Sequence, residues 1–395
     1  MTLNEQIKFL SGRRPSLNPV VSFYLDVDGS RYSPIQCIAR TRHLIQTARH
    51  NLYEMSLSGP AKVEVEAGLD QITQLVGTQV EWGKSRGLVI FVGGEDEVWQ
   101  VIELPVSVID SINMESIPHL RPLLELLQDY PRYAVVLVNQ RQARFFIVDI
   151  GAIAERETLR EDVPRRTHSG SYYGLSDKKY ERHVDVLIDT HYRHVAGRIV
   201  DLTSEVLPQC VMIGGSVDSI TGTKRMLPTD IARQVCAEIS LPITAATTDV
   251  LSETILASHT RCRNAADVFA TQVVDSSLGG GLGSFGIDAT LSALHLREVG
   301  TLVLDRRFVH PGFVCQSCAR IFAHRRECPA CGSVARLAIS DLGEAATSSA
   351  IQQDAAVKHV FGSIAFLSEG IGALLRFRAD SQSSESETHS LALSA

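Results

Sequence analysis

Apolar and polar positions alternate along VVSFYLDV, which predicts a strand with Val20, Ser22, Tyr24 and Asp26 on one face and Val21, Phe23, Leu25 and Val27 on the other. The period then lengthens. Ile38, Leu44, Ile45, Ala48 and Leu52 recur at helical steps and predict a helix over about 35–56, studded with Arg40, Arg42 and Arg49; a second runs through Val63 to Trp82. GLVIFV and VWQVIELP predict a hairpin across Gly93-Gly94-Glu95-Asp96. These elements make residues 1–130 a first α/β segment.

A second segment, 131–275, opens on another hairpin, Ala134–Val138 and Arg144–Ile150, turning through Asn139–Gln142. Val184, Leu187, Ile188, Val195, Ile199 and Leu202 share one face of a long helix, with Ser176 as its expected N-cap and Asp177 in its first turn. A buried strand at Val211–Ile213 follows, then a helix over Asp230–Ile239, a strand or edge segment at LPITAAT, and a helix from Leu251 to Val273. Ser276 to Gly286 holds five glycines and three serines in eleven residues, the composition of a hinge. The third segment, 276–378, carries IDATLSALHLREV as helix, GTLVLD as strand, a cysteine-rich insertion at 312–334, a helix through Ala345–Val360 and a closing GIGALLRFR. The polar, serine-rich stretch 379–395 has nothing to bury and is expected to be disordered. The pattern thus predicts an α/β (α+β) fold in three units on a string.

Composition narrows the partners. A net charge of −7 over 395 residues argues against a general polyanion binder, so a nucleic-acid surface has to be a local patch. With no signal-like or membrane-spanning apolar run, the expected compartment is the cytoplasm, and the eight cysteines are expected reduced. Spacing then points to metal. Cys315-Gln-Ser-Cys318 and Cys328-Pro-Ala-Cys331 lie nine residues apart, and two such turns build a tetrahedral Cys₄ site. Four thiolates fill the shell, so a Zn²⁺ there is structural and contributes on the order of 10 kcal/mol to folding the insertion. Cys37, Cys210, Cys236 and Cys262 are scattered and read as buried small hydrophobes.

The candidate RNA contact is the loop 164–183. Pro164, Gly170 and Gly174 keep its first half irregular. Arg165, Arg166, Lys178, Lys179 and Arg182 outnumber Asp177 and Glu181, five against two; His168 and His183 add donors, and Tyr172, Tyr173 and Tyr180 add ring faces. Cations for phosphate interleaved with planar rings for bases is what RNA contact requires, and a solvated loop with a charged helix start is the alternative. Three other features carry less. Asp26 and Asp28 could hold Mg²⁺ but read better as a polar strand end. Gly214-Gly215-Ser216 could cradle phosphate but lacks the flanking pattern and reads as a tight strand exit. His191 and His194, near Asp185 and Asp189, could bind a catalytic metal but read as a solvated polar face.

In their order along the chain, VVSFYLDVD, RPLLELLQDYPRYAVVLVNQRQARFFIVDIG, FGIDATLSALHLREVGTLVLD, the CxxC and CPxC pair and GIGALLRF resemble the archaeal and eukaryotic class I release factor family, Pelota included, in its bacterial branch. The resemblance implies a three-domain, tRNA-shaped protein with an RNase H-like central domain and a zinc ribbon inserted in the third. It implies the ribosomal A site as target, contacting 16S and 23S rRNA, and a translational GTPase such as elongation factor Tu as partner to a monomer. Release factors of the family carry a Gly-Gly-Gln tip before the long central helix. The corresponding loop here reads Ser169-Gly170-Ser171-Tyr172-Tyr173-Gly174, and no glutamine occurs between Gln142 and Gln209. The expectation is therefore a non-enzymatic factor, similar to the hibernation factors of the bacterial branch. The alternatives are a rescue factor hydrolysing peptidyl-tRNA with His168 as general base, and an interaction protein that never meets the ribosome.

Overall fold

The computed structural model describes residues 2–94, 98–164, 174–278, 281–334, 337–361 and 369–378, with backbone alone over 174–179. Contacts divide the chain into two compact units, Met1–Glu125 together with Arg263–Ala395, and Leu126–Cys262. The predicted first and third segments thus fall in one unit, although each keeps its own sheet. Among the described residues, no helix is long and apolar enough to cross a membrane.

The chain opens on α1 (Leu3–Ser11), which Thr2 and Glu5 start with a capping box; it is too short to show in the hydrophobic pattern. Next come β1 (Val20–Asp26), α2 (Pro34–Glu54) and α3 (Gly59–Thr78). Then follow β2 (Gly87–Gly93), β3 (Val98–Leu104), β4 (Ser111–Glu115) and α4 (Arg121–Asp129). The antiparallel order is β3-β2-β1-β4. Val21, Phe23, Leu25 and Val27 pack with Ile45, Leu52, Leu69 and Ile72, the face that the alternation predicts. Burying each such side chain contributes roughly 1.5–3 kcal/mol.

The central unit holds β5 (Tyr133–Val138), β6 (Gln142–Asp149), β7 (Ala152–Arg160), α5 (Gly174–Val206) and β8 (Val211–Gly215). After these run α6 (Val217–Met226), α7 (Thr229–Gln234), β9 (Val235–Ile239) and α8 (Thr247–Leu278). The sheet order is β7-β6-β5-β8-β9, antiparallel on the hairpin side and parallel at β5, β8 and β9. Both faces of β5 are covered. Ala134, Val136 and Val138 meet Val184, Ile188, Val195 and Ile199 of α5, and Tyr133, Val135 and Leu137 meet Val250 of α8. The helix predicted over Asp230–Ile239 ends at Gln234, because Val235–Ile239 pairs in parallel with β8; this strand replaces the one predicted at LPITAAT, where Ala245 N–H turns back to Pro242 O. α5 begins at Gly174, two residues before the predicted Ser176 cap.

The rest of the first unit comprises β10 (Gly283–Phe285), α9 (Ile287–His295), β11 (Val299–Asp305), β12 (Gly312–Val314) and β13 (Ile321–Phe322). It closes with β14 (Leu337–Ile339), α10 (Leu342–Gln352), β15 (Ala356–Val360) and β16 (Ile371–Leu375). One sheet runs β10-β16-β11-β15 and a second β13-β12-β14. Part of the predicted hinge is therefore strand. Two predicted helices are also shorter. α9 ends at His295, before Arg297 turns at φ 60°, and α10 ends at Gln352, before Asp354 turns at φ 54° into a strand parallel to β11.

A buried polar cluster ties the two stretches of this unit together. Glu344, in the first turn of α10, accepts from Leu120 N–H at 2.9 Å and Arg121 N–H at 3.1 Å, at the start of α4. His119 Nδ1 lies 2.9 Å from the same carboxylate. The Arg121 guanidinium donates to Asp341 at 2.6 Å and to Phe308 O at 2.7 Å. A Cβ on Gly343 would stand 2.9 Å from Arg121 Nη1, so only glycine leaves the guanidinium its place. Burial disfavours a charge on His119, but Glu344 outweighs it and holds its pKa above the ordinary histidine value.

Candidate RNA interface and metal centre

The start of α5 is where the predicted RNA contact meets the described structure. Arg182 and His183 are exposed there, just before the buried Val184 that begins the helix's apolar stripe. Among the described residues, neither is engaged by a carboxylate. Tyr180 is 40% exposed. Arg165, Arg166, His168, Tyr172 and Tyr173 lie outside the described residues, as do the side chains of Lys178 and Lys179.

Farther along α5 the pattern misleads. His191 is fully buried, not solvated, because it falls on the inward stripe between Ile188 and Val195. Its Nδ1 lies 3.4 Å from Glu161, whose other oxygen is 2.6 Å from Nδ1 of the exposed His194. Burial pushes the His191 pKa down, against the pull of Glu161. Asp189 instead pairs with Arg225 at 2.7 Å.

The strand-end features resolve as local packing. Asp26 accepts from Arg31 at 2.8 Å, and Ser30 donates to Asp28 through its hydroxyl at 2.7 Å and its amide at 2.9 Å. A Cβ on Gly215, at φ 147°, would sit 2.2 Å from Val138 O, and Ser216 caps α6, which makes this a tight strand exit. Cys210 is a buried core residue, as expected, and Cys236 packs against the same cluster. Cys210 and Cys236 meet at the β8–β9 junction, where the hydrogen bond from Cys210, helped by Arg261, holds the Cys236 thiol below the ordinary cysteine range.

The cysteine knuckles are built alike. Cys315 N–H donates to Arg320 O, and Cys315 O accepts from Ala319 N–H; Cys328 N–H donates to Ser333 O, and Cys328 O accepts from Gly332 N–H. Each turn needs a left-handed residue at the same place, Ala319 at φ 58° and Gly332 at φ 71°. The four sulfurs lie within 4.8 Å of one another, with Cys315–Cys331 at 3.5 Å, Cys318–Cys328 at 3.4 Å and Cys331–Cys318 at 3.7 Å. A tetrahedral ion with metal–sulfur bonds of about 2.3 Å needs sulfurs roughly 3.8 Å apart, so the set could hold a metal ion. The Ser333 amide and hydroxyl hold the Cys331 thiol down to about 6, toward the thiolate that a metal binds. Among the described residues, these four are the group of this kind.

Residues 118–259 match the bacterial archaeo-eukaryotic release factor family 10. Over this stretch the chain is similar to that family. The matched stretch runs from the start of α4 to the middle of α8 and includes all of the central unit's sheet. Solved structures similar to the chain include the archaeal translation termination factor aRF1, at 16% identity over 95% of this chain and 96% of that one, with a TM-score of 0.26. Pelota from Archaeoglobus fulgidus is 11% identical over 74% of this chain and 84% of its own, TM-score 0.34. A ribosome-bound archaeal Pelota is 10% identical over 96% and 95%, TM-score 0.41. No curated protein matches the chain.

Proposed function

We propose that this protein is a ribosome-binding translation factor that occupies the A site as a tRNA mimic and hydrolyses nothing there. The observation that carries the reading is the release-factor match over 118–259 in a chain with no glutamine between Gln142 and Gln209. Water at a peptidyl-tRNA ester needs a group to position it, and the loop offers serine, glycine and tyrosine in place of the amide side chain. Its cations and rings suit rRNA, and Arg182 and His183 stand exposed beside it. A bound factor that does not cut the ester is a hibernation factor of the Balon type, delivered by elongation factor Tu in the cytoplasm. Zn²⁺ is the ion that four thiolates at this spacing favour, with a structural role.

Ribosomes loaded with labelled peptidyl-tRNA test the reading. Saturating protein is expected to leave the peptide on the tRNA at the rate seen with buffer. Release that exceeds that rate and is lost in His168→Ala assigns the protein to peptidyl-tRNA hydrolysis instead.

A further inference from the structure

In the central unit, β8 and β9 do not pair evenly. Val211 meets Val235 and Met212 meets Ala237, so Cys236 is the extra residue of a β-bulge. Along an even strand, Cys236 and Ala237 would face opposite sides of the sheet. The bulge turns both to the side covered by α8, where Cys210 is buried with Met212 and Val250, while Val211, Ile213 and Val235 face α5. Two thiols distant in the chain thus meet on one face, Cys210 donating a hydrogen bond to Cys236, with Arg261 of α8 as a second donor. β9 is the outer strand of its sheet and Cys236 is half-buried, whereas Cys210 is 2% exposed. One sulfur is open to a small molecule from solvent; the other is reached only through the first.

Packing alone gives no reason for this arrangement. Two small apolar side chains need neither a bulge nor a guanidinium, whereas a guanidinium and a donated hydrogen bond both favour the anionic form of the sulfur that receives them. Cys236 is accordingly held below the ordinary cysteine range, and its bond to Cys236, with burial, pushes Cys210 up. An attacking thiol needs that help, and a resolving thiol needs to lie in contact and out of reach of the reagent. We infer that Cys236 and Cys210 form a dithiol site that small hydroperoxides oxidise to a disulfide tying β8 to β9. The Cys236 sulfur attacks the terminal oxygen of the hydroperoxide, the O–O bond breaks, and the thiol proton ends on the leaving oxygen, giving a sulfenic acid and water or an alcohol. The Cys210 sulfur then attacks the Cys236 sulfur, the S–O bond breaks, and the Cys210 proton leaves with the hydroxyl as water. Two thiols are oxidised to one disulfide while the peroxide bond is reduced. The inference does not rest on ribosome binding, and its test uses none.

Full-length, metal-loaded protein, reduced and then freed of reductant, is exposed to hydrogen peroxide, quenched with iodoacetamide and digested without reduction for mass spectrometry. The linked peptide joining Cys210 to Cys236 is expected to appear at least about tenfold faster than any modification of Cys37 or Cys262, and to vanish on adding dithiothreitol. Cys210→Ser is expected to stop at the sulfenic acid on Cys236, which dimedone captures, and Cys236→Ser to leave Cys210 reduced. Arg261→Gln is expected to slow oxidation of Cys236 about threefold or more, with an unchanged circular dichroism spectrum. Should Cys210→Ser fail to fold, Cys210→Ala and the wild-type peptide map carry the test. A link from either thiol to Cys262 or to a ribbon cysteine, Cys236 reacting no faster than Cys262, a rate unchanged in folded Arg261→Gln, or Cys210 oxidised as fast in Cys236→Ser as in wild type overturns the inference.

Discussion

The cysteine knuckles and the Arg121 cluster belong to the same unit and are built in opposite ways. Cys315 and Cys331 are 16 positions apart, and each knuckle closes on its own backbone within five residues. Glu344 instead accepts from Leu120 and Arg121 across 224 and 223 positions. The knuckles bring four sulfurs together where a cation can come in; the cluster sets its charges against one another, with Arg121 4% exposed. The difference teaches where function and architecture part in this chain. A site that awaits a ligand is compact in sequence, whereas a tie between distant stretches spends nearly all of its polar groups within the fold, Arg121 Nε excepted.

The largest effect that can break this comparison is removal of the metal. Chelation, or Cys315→Ser, is expected to cost the ribbon on the order of 10 kcal/mol of local stability. Hydrogen exchange over 312–339 reads it as lost protection, and unchanged protection means the knuckles fold without an ion. Arg121→Met comes next. It strands Asp341 and is expected to lower stability by roughly 3–5 kcal/mol, seen in the denaturation midpoint, with part regained when Asp341→Leu is added. A loss below about 1 kcal/mol would make the cluster a surface-like pair.

Gly343→Ala sharpens the same point, since its Cβ would crowd Arg121 Nη1 at 2.9 Å; about 1–3 kcal/mol is expected from differential scanning calorimetry. The smallest effect is pH-dependent. Because Glu344 raises the folded pKa of His119, the stability it adds is complete below about pH 6.5 and fades as pH rises through that raised value. The difference in melting temperature between wild type and His119→Gln is therefore expected to shrink from pH 6 toward pH 9, and a constant difference contradicts the assignment.

The same contrast explains what the sequence made legible. Four cysteines in two adjacent turns announce their geometry, and the stripe Val184, Ile188, Val195, Ile199 of α5 announces its buried face. His191 falls on that stripe but reads as polar, because residue type outvoted position; counting steps from Ile188 would have placed it inside. Val235–Ile239 and Ala356–Val360 extend helical patterns and become strands only because β8 and β11 offer edges to pair with.

The central proposal is that the basic, tyrosine-bearing stretch 164–183, which runs into the start of α5, docks the protein on the ribosome. Co-sedimentation of purified protein with 70S ribosomes over a salt series tests it most directly. Wild type is expected in the 70S fraction, losing affinity steeply as salt rises, and the variant with Arg165, Arg166, Lys178 and Lys179 all changed to alanine is expected to bind more weakly with a shallower salt slope. Protein that stays at the top of the gradient at every salt concentration, or a variant that pellets as wild type does, contradicts the account.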